Sequence, residues 1–210
     1  MDRLHRNDND GFTLVELLIS VAIFSFIVGA IFSFSIAQRK YLSVEGQISE
    51  MTQNARAAMD MISGELTVAG YSPSKPVLNG TDPAFIAIVL DNTQLQIQAD
   101  LNENKRTINS AKSGENPNEL ITYSYDSTEK VIRRKTNLNG FPQPLIENVQ
   151  SFGFEYLDAL GDAATTTANI RQIRLTITVR TSKPDPQYTA NSGYRTFTLT
   201  SVVTPRNLAF

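Results

Sequence analysis

The sequence predicts an α+β chain: one long N-terminal α-helix, membrane-type in its first half and amphipathic in its second, packed on a C-terminal antiparallel β-sheet. Three observations carry this. Leu17–Ala37 contains no charged residue. Apolar residues then recur at steps of three and four as far as Ala69, the period of a one-sided helix. Beyond Tyr71 the pattern changes to strict alternation, the period of half-buried strands.

The uncharged run is roughly 21 residues and would span roughly 31 Å as a helix, close to the hydrocarbon thickness of a bilayer. A buried helix of a soluble protein would carry a polar face, and this run offers only scattered serines. The second half shows its stripe at Tyr41, Val44, Ile48, Met51, Ala55, Met59, Ile62, Leu66 and Ala69, with Glu45, Gln47, Glu50, Arg56, Asp60 and Glu65 falling off it. Gly70 and Pro73 supply the stop signal. Gly29, Gly46 and Gly64 are expected soft points in the helix.

Alternation then marks the strands. Leu95, Ile97 and Ala99 share a face, as do Ile121, Tyr123 and Tyr125, and Phe152, Phe154 and Tyr156. The clearest case sets Ile173, Leu175, Ile177 and Val179 against Arg174, Thr176, Thr178 and Arg180. Phe197, Leu199, Ser201 and Val203 follow. One apolar face per strand implies a single antiparallel sheet laid on the helix stripe. Phe85–Leu90 is apolar throughout and reads as a more buried strand. Turn-rich connections fall at Ser72–Pro83, Asp100–Asn118, Asp158–Asn169 and Thr181–Gly193. The second and fourth are long enough to be contact surfaces or mobile segments.

Composition removes several classes of function. The 210 residues carry a formal net charge of −2, without the basic stripe of a polyanion-binding protein. There is no cysteine, hence no disulfide and no thiolate metal site. The one histidine, His5, lies in the polar first ten residues. Ser72–Lys75 matches S-x-x-K, but it trails a helix where that motif opens one. Asp100–Asn104 begins like a calcium loop, D-x-N-x-N, yet Lys105 and Ala111 stand where glycine and glutamate are required. The loop is read as a solvated turn, as is Asp158–Asp162. Arg133–Lys135 is read as a solvated strand face and not as a nucleic-acid contact. No phosphate loop, carboxylate pair or nucleophile–base pair stands out. The chain is therefore expected to be no enzyme, with no cofactor, metal or small-molecule substrate.

One acid, Glu16, sits just inside the greasy run, where a carboxylate is costly. The stretch Gly11-Phe12-Thr13-Leu14-Val15-Glu16-Leu17-Leu18 resembles the type IV prepilin signature: a glycine, a cleavage point, a phenylalanine, then an apolar helix with glutamate fifth. The resemblance implies that prepilin peptidase cuts between Gly11 and Phe12, that Phe12 is N-methylated, and that Glu16 meets the amine of a neighbouring subunit during assembly. It also implies a pilin-like fold, other pilin subunits as partners through the N-terminal helix, and an inner-membrane precursor that passes into a pilus or a periplasmic pseudopilus. The expected organisation is leader 1–11, membrane and assembly helix 12–37, amphipathic helix 38–70 and head domain 71–210.

Two departures stand out. Arg3 and Arg6 are balanced by Asp2, Asp8 and Asp10, whereas family leaders are usually basic, and Arg39 and Lys40 make the charge count across the span a tie. The helix-kinking proline of many pilins is replaced by Ser33, so less kinking is expected. Downstream, Gln53–Tyr71 and the strands around Ile121–Asn137, Val149–Asp162 and Arg195–Leu208 resemble minor pilins of the PilW type. They also resemble the J-type pseudopilin of type II secretion. A third reading, of another class, is an exported periplasmic binding domain. Its signal peptide would be cut after Ser35-Ile36-Ala37, leaving Gln38 as the first residue. With no cysteine to close a C-terminal loop, how the end of the sheet is pinned stays open, as do the subunit's place in a filament and any adhesive role.

Overall fold

The computed structural model describes residues 12–72, 86–101, 103, 119–136 and 140–208. It contains two compact units, Met1–Gly46 and Gln47–Phe210. A single uninterrupted α-helix, α1 (Leu14–Thr67), contributes to both. Gly29, Gly46 and Gly64 all lie within the helix assignment.

In the first unit the helix is apolar on every side. Its large side chains from Leu14 to Ile36 are exposed, with Phe24 at 67% and Phe26 at 81%. Its serines do not break the apolar character, because Ser20 Oγ and Ser25 Oγ donate to the carbonyls of Glu16 and Val21, each at 2.7 Å.

In the second unit the helix buries Met51, Ala55, Ala58, Met59, Ile62 and Leu66, the predicted stripe with Ala58 added. The stripe fades toward its start: Tyr41 is exposed, and Val44 and Ile48 are half-buried. The helix stops at Thr67, two residues short of the expected Ala69. Val68–Gly70 turns away, and Gly70 takes the left-handed conformation (φ 79°) that favours glycine. A side chain at Gly70 would also press on Ala87 Cβ at 3.1 Å.

The strands form two antiparallel sheets where one was expected. The first has five strands in sequence order: β1 (Ile88–Val89), β2 (Gln94–Gln98), β3 (Leu120–Asp126), β4 (Val131–Thr136) and β5 (Gln143–Ile146). The second has three: β6 (Val149–Leu157), β7 (Gln172–Arg180) and β8 (Thr196–Val203). The break falls between β5 and β6, where Asn148 takes a left-handed φ of 58°. The Tyr125 hydroxyl ties the start of β6 back to the first sheet, donating to the carbonyls of Val149 (2.9 Å) and Gln150 (2.8 Å). Helix and both sheets share one core, in which Ile62, Leu66, Leu95, Tyr123, Ile132, Ile173, Leu175 and Ile177 are fully buried.

Two strand readings need correction. Phe85–Leu90 is not a buried central strand: among its described residues only Ile88–Val89 form β1, an edge strand, and Leu90 is 37% exposed. Arg133–Lys135 is not a uniformly solvated face. Arg134 alternates in register with Ile132, so its guanidinium reaches toward the helix and clasps Glu65, with Nη2 at 2.7 Å and Nε at 3.0 Å from Oε1. The hydroxyl of the fully buried Tyr123, directly opposite Arg134 across the β3–β4 ladder, donates to the same carboxylate. Glu65 is thus a half-buried clasp between helix and sheet, and not a solvated residue off the stripe.

The end of the second sheet is pinned without cysteine. The Arg206 N–H donates to the Thr67 carbonyl at 3.1 Å, and Asn207 Nδ2 to the carbonyls of Val68 and Ala69, both at 3.3 Å. The Thr67 carbonyl is among those a helix end leaves without an intrahelical partner. The β7–β8 connection is closed by Asp185, which accepts from Arg195 Nη2 at 2.9 Å and donates its own N–H to the Gly193 carbonyl at 2.7 Å. Asp158–Asp162 is the expected turn, with the Asp158 carboxylate accepting the N–H groups of Leu160 and Asp162.

Candidate functional site

The candidate site is the start of α1. Thr13 is the residue before the first helical position, and its carbonyl accepts the first intrahelical bond, from the Leu17 N–H at 3.2 Å. Its hydroxyl accepts from the Glu16 N–H at 3.3 Å. Glu16 reciprocates: Oε2 accepts from the Thr13 N–H at 3.0 Å and from the Thr13 hydroxyl at 2.8 Å. This reciprocal pair is a capping box, in which two otherwise orphaned N–H groups are satisfied by side chains. Phe12 lies just outside it and is 76% exposed.

Sequence reasoning singled out Gly11, Phe12 and Glu16. Phe12 and Glu16 fall together at the helix start; Gly11, with the rest of the leader, lies outside the described residues. Thr13 was missed, although Thr-x-x-Glu ahead of an apolar run is itself the sequence signature of a capped N-terminus. The carboxylate also sits where the helix macrodipole favours negative charge. All these bonds use Oε2, so Oε1 keeps its capacity to accept from an external cation.

α1 contains a stretch long and apolar enough to cross a membrane, and none of that stretch is buried within the chain. The other motifs weighed in the sequence give less. Pro73–Lys75 and most of the Asp100–Asn118 loop lie outside the described residues. Among the described residues no group of three or more His, Cys, Asp or Glu side chains gathers to hold a metal.

Comparison with known families bears on the same segment. Residues 6–32 match the prokaryotic N-terminal methylation motif. The match brackets Gly11, Phe12 and Glu16 together with the first part of α1. Among solved structures, a type IV-like pilin from Thermus thermophilus is similar at 14% identity and a TM-score of 0.48. The similarity covers 76% of this chain and 97% of that one. No curated protein matches the sequence.

Proposed function

We propose that this chain is a minor pilin of the PilW type, made as an inner-membrane precursor and built into a type IV pilus. The observation that carries the reading is the methylation motif over residues 6–32, with Phe12 and Glu16 placed at the start of an apolar helix. In this reading prepilin peptidase removes residues 1–11 and Phe12 becomes an N-methylated terminus. Residues 12–37 then pack among the helices of other pilin subunits, and residues 71–210, carried on the helix at 38–70, form the head. A free amine and a carboxylate are each costly in a membrane, and pairing across subunits offsets both. Glu16 can hold its own cap through Oε2 and take the amine of a neighbour on Oε1. The pairing then sets subunit register without uncapping the helix.

Mass analysis of the N-terminal peptide, from protein recovered from its native envelope, tests the processing step. The expected terminus is methylated Phe12; a terminus at Gln38 would mean a cleaved signal peptide and an exported domain. Two substitutions separate capping from pairing. Glu16→Gln keeps a capping-box side chain and removes the charge, so it should insert normally but enter filaments poorly. Thr13→Ala weakens the cap by about 1 kcal/mol and keeps the carboxylate, so it should incorporate close to normally. Normal incorporation of Glu16→Gln would sink the pairing.

A further inference from the structure

The outer edge of β8 has the properties of a pairing surface. β8 is an edge strand, joined to β7 in unbroken register from Arg180↔Thr196 to Ile173↔Val203. The bond from the Thr181 N–H to the Arg195 carbonyl (2.9 Å) fixes which residues face β7. In an antiparallel ladder the hydrogen-bonded pairs alternate, so Phe197, Leu199, Ser201 and Val203 spend their backbone groups on β7. Thr196, Thr198, Thr200 and Val202 turn theirs outward. No backbone group among the described residues is bonded to that side.

Edges of this length are normally blunted by a charge, a proline or a bulge. From Thr196 to Val203 there is none of the three. What an unblunted edge takes up is another extended strand.

Which strand is written in β8 itself. About Leu199, Thr198 and Thr200 are placed symmetrically, Phe197 answers Ser201 and Thr196 answers Val202. We infer that β8 pairs antiparallel with β8 of a second copy about a two-fold axis at Leu199, joining two three-stranded sheets into one. The outward-facing residues then meet each other. Thr198 bonds Thr200 of the second copy, and Thr196 bonds Val202 of the second copy, each with its symmetry mate. The side chains match as well. Thr198 and Thr200 already form cross-strand hydroxyl bonds within the chain, Thr178–Thr198 at 3.0 Å and Thr176–Thr200 at 3.2 Å, and the self-pairing extends that ladder. On the other face Leu199 meets Leu199 of the second copy. Charge selects the antiparallel sense. A parallel pairing in register would set Arg195 against its own copy and Arg206 likewise, whereas the antiparallel one sets each against uncharged residues. A two-fold contact closes on itself, so this is an association of free or membrane-held chains and does not rest on the filament reading.

The absence of native cysteine makes the test direct. Leu199 and its copy form a non-hydrogen-bonded pair, with Cα atoms about 4.5 Å apart, inside the range a disulfide bridges. Full-length Leu199→Cys in detergent should give a disulfide-linked dimer on mild oxidation. Leu160→Cys, placed on a turn and 87% exposed in the parent residue, measures random collision. Thr200→Pro removes an outward N–H and leaves every backbone bond to β7 intact, giving up only the Thr176–Thr200 hydroxyl bond. Added to Leu199→Cys, it should abolish the cross-link while the unfolding temperature stays near that of the parent. Cross-linking of Leu199→Cys no faster than Leu160→Cys would overturn the proposal. So would a Leu199→Cys dimer that survives Thr200→Pro in a folded chain.

Discussion

The Glu65–Arg134–Tyr123 clasp allows a worked test of what holds the helix on the first sheet. Arg134→Met keeps the aliphatic packing of the side chain and removes its donors. The Glu65 carboxylate, 20% exposed, would be left with the Tyr123 hydroxyl alone. An exposed ion pair is worth about 0–1 kcal/mol, and breaking a fully buried one costs about 3–5 kcal/mol. At 20% and 23% exposure, with three guanidinium–carboxylate contacts, this pair lies between, at about 2 kcal/mol. For a unit of this size each kcal/mol moves the unfolding temperature by about 2–4 °C, so the expected drop is about 4–8 °C.

Replacing both partners removes the stranded charge as well. Glu65→Met with Arg134→Met should therefore cost less than the two single losses summed, with a coupling of about 1–2 kcal/mol. Thermal unfolding of the full chain in detergent, followed by circular dichroism, reads all four members of the cycle. An Arg134→Met midpoint within about 1 °C of the parent, or strictly additive losses, would refute the clasp as a stabilising contact.

Two further outcomes are expected. Gly64→Ala should raise the unfolding temperature, since Gly64 is helical with open space where a Cβ would stand, and alanine gains up to about 1 kcal/mol there; a lower midpoint would show that the position is contacted. Stability should fall as pH rises above about 10. Burial pushes the Tyr156 phenol up to about 12, and burial together with Glu65 pushes Tyr123 up as well. The contribution is thus complete while both folded and unfolded phenols are neutral, and it is lost as the unfolded chain ionises first. Midpoints measured between about pH 8 and pH 11.5 check this, and Tyr156→Phe should flatten the slope.

What the sequence made legible follows from range. The helix stripe and the five strand alternations are local periodicities, and each reappears with its apolar face buried or partly buried; β7 alternates over all nine residues. The clasp was hidden because Glu65 and Arg134 are 69 positions apart and each alone reads as a surface charge. A partial signal existed: Arg134 shares its strand face with the buried Ile132, so it needed a partner. β5 was obscured by Pro144, a residue tolerated there because β5 is an edge strand. The split into two sheets falls where Asn148 takes a left-handed φ, which composition permits but does not require. At the site, Phe12 and Glu16 were legible from a motif, while the cap depends on Thr13 and Glu16 bonding reciprocally, a pairing that shows only once the helix start is fixed.

The pinning of the C-terminal strands also answers a question that the lack of cysteine raised. A disulfide would hold a late loop by a bond that exists only after oxidation. Here the work is divided between two sets of hydrogen bonds. One set runs from Arg206 and Asn207 to the carbonyls of Thr67, Val68 and Ala69, at and just past the end of α1. The other centres on Asp185, whose carboxyl is held below the usual aspartate range by the Gln187 N–H and by Arg195. The Arg195 guanidinium lies 4.6 Å from the centre of the Tyr188 ring, so one side chain fixes both the acid and the aromatic of the loop. A carboxyl with its pKa lowered contributes above the ordinary aspartate range and is lost only as pH falls through its own folded value. Closure of the sheet therefore depends on neither a redox compartment nor a neutral-pH titration.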